Sequence, residues 1–243
     1  MNELNWNECD DPRILLKHLP NNTDPRKLRL FAVGATQVVS ACLTDETRYC
    51  LSIAEQFADG QATQTESKRA RQRTFMATLN VNRLAARAQG PAKAAVCWSL
   101  ADSSAEAASR AIDYVLFTLP TYLLNQMSTA GNSITGKIIR QVKQDSMLDL
   151  ADLFRGIFRD SIGEPVPTPP RTATTISIAE KIYQEKEFLR MPILGDALEE
   201  AGCINDEILD HCRRPRYHAR GCWVLDAILG NECAVDREGD RAR

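Results

Sequence analysis

The chain has 243 residues and a formal charge of -2, with hydrophobic residues at 44% and charged residues at 26%. Those proportions belong to an ordinary globular protein with material for one large domain or two small ones, and they exclude a disordered or fibrous chain. The acid–base balance gives no global attraction for nucleic acid or an anionic membrane, so any such affinity must come from a local patch, and aromatics at 6% are few for a base-stacking surface.

The amino terminus, MNELNWNECDDPR, has neither the basic start nor the apolar run of a signal peptide, and no apolar stretch is long enough to span a bilayer, so a cytoplasmic protein without membrane contact is expected. Eight cysteines, Cys9, Cys42, Cys50, Cys97, Cys203, Cys212, Cys222 and Cys233, are scattered without paired spacing. In a reducing compartment most are expected to be small buried hydrophobes.

Read in chain order, the start and stop signals predict helices almost throughout. Asp11-Pro12 and Asp24-Pro25 each place a capping acid before a proline at the first helical position. The first helix should end near HLP. The second should run from Pro25 to about Leu43, with Leu28, Phe31, Ala32, Ala35 and Val39 on one face. Thr44-Asp45 opens a third, closed at Gly60. Thr63 and Glu66 form a capping box ahead of an arginine- and alanine-rich helix expected to stop at QGP, residues 89 to 91, with KRARQR at 68 to 73 on its solvated face. Ser103 and Glu106 repeat the box before AASRAIDYVLFTLP. GNS at 131 to 133 precedes a helix in which Ile134, Ile138, Val142, Leu148, Phe154 and Phe158 recur at roughly helical spacing. Strand-like alternation is nearly absent.

Residues 161 to 172, SIGEPVPTPPRT, read as a linker, because Pro165, Pro167, Pro169 and Pro170 forbid regular helix. Short helices follow: Ser177 with Glu180 caps one, Pro192 opens a second that Gly202 ends, Asn205 caps a third, and CWVLDAIL ends at Gly230. The expected organisation is an all-α multi-helix array over residues 1–160, the proline-rich linker 161–172, a small C-terminal helical unit 173–231 and a charged, fraying tail 232–243.

Phosphate-cradling glycine loops, nucleophile elbows, His-Glu-x-x-His helices and Cys-x-x-Cys pairs are missing, so no catalytic residue is nominated and an enzyme is not expected. The chemistry concentrates in ILDHCRRPRYHARGCWVLD, residues 208 to 226. Cys203, His211 or Cys212, His218 and Cys222 could supply nitrogen and sulfur ligands to zinc. Their uneven intervals, with His211 and Cys212 about 100° apart on a helix, favour the reading without a metal, in which Cys212 and Cys222 pack in the core and the histidines hydrogen-bond the joint. Arg213, Arg216, His218 and Arg220 are then the expected interaction surface, suited to a protein partner rather than a long polyanion because Asp206, Glu207, Asp210 and Asp226 lie close by. A purely structural scaffold is the remaining alternative.

Five segments carry a resemblance: DPRILLKHL, DPRKLRLFAV, LTDETRYCLSIAEQFADGQAT, IAEKIYQEKEFLRMPILGDALEEAGC and ILDHCRRPRYHARGCWVLDAILG. Together they resemble an uncharacterised paralogous family of planctomycete bacteria, without assigned activity, across about residues 10 to 75 and 145 to 231. Residues 76 to 140 match none of its patterns. Members often carry two cysteines and then arginines after the LRLFAV segment, where this chain reads Gly34, Ala35, Thr36 and Gln37. The occurrence of relatives in large paralogous sets, some beside repeat-companion segments, implies a binding module.

Overall fold

The computed structural model of the chain describes residues 6–79, 86–129, 136–162 and 167–231. The polar opening at 131 to 133, residues 163–166 of the expected linker, Cys233 and the tail lie outside them. Every regular element among the described residues is helical, as the pattern of caps and periodicity predicts. The chain divides into two units, Met1–Arg155 and Gly156–Arg243, inside one helix.

In the N-terminal unit the Asp-Pro openings work as caps. Asp11 accepts from the Arg13 N–H at 2.9 Å and opens α1, Pro12–Lys17; Asp24 accepts from the Arg26 N–H at 2.8 Å and opens α2, Pro25–Gln37. α2 is shorter than its apolar face suggests. At the β-branched pair Val38-Val39 the N–H groups reach back only three residues, to Ala35 and Thr36, and a 3-10 turn over Ser40–Cys42 follows, although Val39 stays buried. Leu30, Phe31, Ala32 and Ala35 are buried, and α2 packs against α3, Asp45–Ala58, and two later helices. Thr36 is also internal. Its hydroxyl donates to Ala32 O and lies 3.2 Å from that of Ser99.

The reciprocal Thr63–Glu66 box opens α4, Gln64–Leu79. QGP is not the stop that its glycine and proline suggest, because Gly90 and Pro91 lie inside a separate helix, α5, Ala86–Ser99. Packing overrides the propensity there: Ala92, Ala95 and Val96 are fully buried, and α5 lies against α4 and α6. α6, Ser104–Thr129, likewise continues through Pro120, flanked by the Thr118 and Thr121 hydroxyls bonded to the Tyr114 and Phe117 carbonyls. α7, Gly136–Phe158, brings Phe154 edge-on to Phe31 and parallel to Trp6, while Ile138 and Leu148 are exposed. Arg155 donates to the Trp6 and Cys9 carbonyls and so pins the chain ahead of α1.

In the C-terminal unit the first helix starts earlier than the Ser177–Glu180 spacing predicts. Thr172 and Thr175 exchange hydroxyl–backbone bonds, and Thr175 also donates to Pro170 O, so the cap forms directly after the prolines and α8 spans Ala173–Glu185. α9, Met191–Glu200, ends before Gly202, which has φ +90°. Asn205 accepts from the Ile208 N–H and opens α10, Asp206–Arg213; Gly230, at φ +74°, ends α11, Trp223–Leu229. α9 packs on α10, and α8 on α11, around Ile182, Met191, Leu194, Leu198, Ile208 and Ile228.

Candidate functional site

The joint between α10 and α11 is built from the core outward. α10 turns Ile208, Leu209, His211 and Cys212 inward and ends where Arg214 becomes extended before Pro215. Gly221, at φ +86°, then reverses the chain so that Cys222 and Trp223 enter the same core cluster. His211 Nε2 sits 3.0 Å from Cys222 Sγ, and His211 Nδ1 accepts the Trp223 indole N–H at 3.3 Å with Arg216 Nη1 at 3.5 Å. Indole and guanidinium are donors only, so the Nδ1 lone pair faces them and the imidazole proton resides on Nε2, directed at sulfur. Burial, aided by His218 and Arg216, holds the His211 pKa well below the ordinary imidazole value, and burial with Arg216 pushes His218 down to about 4. Both rings are neutral at pH 7.

This arrangement decides between chemistries. A neutral histidine whose Nε2 already bears the proton cannot take one from Cys222, and that cysteine is 1% exposed, so the pair is not an activated nucleophile. For a metal, the nitrogen and sulfur atoms of His211, His218 and Cys222 all lie within 4.8 Å of one another. Cys203, the fourth candidate ligand, is buried in the core but outside that group. Cys212 packs its β-carbon against α9, where a β-carbon added at Gly195 would meet it at 3.1 Å; burial, then Cys222, drive its thiol pKa far up.

The arginines are only in part the exposed turn that their crowding in sequence suggests: Arg213 and Arg214 are exposed, whereas Arg220 is buried. Arg213 donates to Asp196, at 2.8 Å, and to Glu199; Arg214 pairs with Asp210. Arg216 and His218 are half-buried. Arg220 is only 8% exposed: its guanidinium lies 4.8 Å over the Tyr183 ring and donates to the Tyr183 and Gln184 carbonyls, capping the end of α8. That end turns through Lys186 at φ +58°. Of the expected surface, Arg220 therefore belongs to the interior, and Arg213 is held by two carboxylates.

A different surface is open in the N-terminal unit. Lys68, Arg71, Gln72 and Phe75 of α4, Gly90, Ala94, Cys97 and Trp98 of α5 and Tyr114 of α6 line a groove of about 580 Å³. It continues along Pro91, Asp113 and Phe117. Phe75 and Phe117 are 54% and 61% exposed, an uncommon use of large aromatics in a chain with so few. Arg71 and Arg110 lie over the Trp98 ring, at 5.9 and 5.1 Å, and Arg71 also meets Asp102 at 3.5 Å. The groove is cationic at the Lys68–Arg71 end and apolar at the Pro91–Phe117 end apart from the Asp113 carboxylate. Sequence reasoning assigned KRARQR to solvent. The signal it passed over is the i, i+3, i+4, i+7 row of Lys68, Arg71, Gln72 and Phe75, which puts an aromatic on the same face as the basic residues.

No family model matches this chain, and neither a curated protein nor a solved structure matches it. Among the described residues no helix is long and apolar enough to cross a membrane.

Proposed function

We propose that the protein is a non-enzymatic binding module whose recognition surface is the α4–α5–α6 groove, and that its occupant is an amphipathic helix of a partner protein. The observation that carries this is the pairing of exposed Phe75 and Phe117 with an open, mostly apolar channel that carries Lys68 and Arg71 at one end. Helix-in-groove recognition uses apolar anchors at i, i+3, i+4 and i+7, and an acidic residue at one end of such a helix would meet Lys68 and Arg71. The likeness to a family of large paralogous sets supports the same class. A purely basic recognition turn at the C-terminal joint has less support, because Arg213, Arg214 and Arg220 already hold partners within the chain.

The test is capture from the native host by the full chain, comparing Phe75→Ser/Phe117→Ser with Arg213→Ala/Arg214→Ala. The expected result is a defined partner retained by the arginine variant and reduced more than about tenfold by the groove variant, as loss of two aromatic anchors implies. Retention by the groove variant and loss from the arginine variant would overturn the reading.

A further inference from the structure

We infer that His211, His218 and Cys222 form a binding site for one divalent transition-metal ion of the zinc class, a site independent of the groove. The three side chains offer imidazole nitrogen and thiolate sulfur, the ligand types zinc selects. Their donor atoms are already gathered within 4.8 Å by a joint whose ends are fixed in the core cluster. A tetrahedral ion, with bonds of about 2.0–2.3 Å, needs its donors roughly 3.3–3.6 Å apart. His211 Nε2 and Cys222 Sγ, at 3.0 Å, must separate slightly, and the widest pair must close by about an ångström, changes that side-chain rotation supplies. Imidazole ligates in its neutral form. Three protein ligands leave a fourth position for water.

Cys222 loses its thiol proton to solvent, and the His211 proton moves from Nε2 to Nδ1, so one proton is released per metal bound. Nδ1 then carries a hydrogen facing two donors, and the Trp223 indole and the Arg216 guanidinium must both turn away. The loss is two hydrogen bonds to Nδ1, one from a neutral indole and one long bond from a charged guanidinium, and thiolate–imidazole coordination must outweigh both. The same step makes Trp223 and Arg216 competitors of the metal rather than supporting partners.

The probe is cobalt(II), added to the full chain purified without an affinity tag, stripped with chelator and kept reduced. The expected result is one equivalent bound with a thiolate-to-cobalt charge-transfer band, release of one proton and displacement by zinc. Cys222→Ser and His218→Asn should lose the band while circular dichroism keeps the helical content, and Cys203→Ser should retain it. Trp223→Phe should bind cobalt roughly 2- to 10-fold more tightly, the worth of one neutral hydrogen bond. Absence of the band in the wild-type chain, its survival in Cys222→Ser, or weaker binding by Trp223→Phe would overturn the inference.

Discussion

Two neutral histidines folded into the joint make the C-terminal unit sensitive to mild acid. Unfolded, His218 returns to the ordinary imidazole pKa of 6.5; folded, it titrates at about 4. Between those values the unfolded chain holds a proton that the folded chain does not, so stability is complete above about pH 6.5 and falls as pH drops, by about 1.4 kcal/mol per unit for each such group. From pH 7 to pH 5, His218 alone should remove about 2 kcal/mol. His211, displaced in the same direction by deeper burial, adds to that loss. The measurement is urea unfolding in chelator across pH 5 to 7, in a Trp6→Phe/Trp98→Phe background that leaves Trp223 as the reporter of its own unit. His218→Asn should flatten the dependence by about half. A stability unchanged from pH 7 to 5, or rising toward acid, would show that these rings are not buried in the neutral form.

Arg220→Ala should lower stability by about 2–4 kcal/mol, since it removes charge-assisted bonds to two carbonyls at the end of α8 and a cation over Tyr183. Arg214→Ala, at an exposed i, i+4 pair with Asp210, should change it by no more than about 0.5 kcal/mol in the same chemical-denaturation series. Gly195→Ala sets a helix-propensity gain of about 1 kcal/mol against crowding of the Cys212 β-carbon at 3.1 Å, and a net loss of up to about 2 kcal/mol is expected from the thermal midpoint. Cys97, half-buried in the groove wall with its thiol pKa raised by burial, should alkylate slowly, and more slowly still when the groove is occupied; labelling followed by peptide mass mapping reads this.

The all-α class and many helix ends were legible because they depend on neighbours in sequence. Asp11, Asp24, Thr63 and Asn205 cap where their spacing says, and Gly202 and Gly230 take the left-handed turn after a helix. Pro91 and Pro120 misled or went unweighed because tertiary packing carries a helix past a missing N–H, a term no local signal contains. Ser177–Glu180 matched a capping box, yet Thr172–Thr175 lies nearer the prolines that stop the chain from coiling earlier. At the site, the inward turn of Cys212, Cys222 and Trp223 followed from helical position. The burial of Arg220 did not, because an arginine is placed inside only by the carbonyls of a helix distant in sequence. The groove needs α4, α5 and α6 together, and the local cap and helix signals of residues 63 to 120 say nothing of how those helices pack.

The α4–α5–α6 groove, not the arginine-bearing joint, is the surface proposed to meet the partner. Photo-crosslinking in the native host, with benzoylphenylalanine at position 117 in one strain and at position 214 in another, tests it directly. A single defined adduct from 117, absent from 214 and abolished by Lys68→Glu with Phe75→Ser, is the result predicted. An adduct from 214 with none from 117 would contradict it.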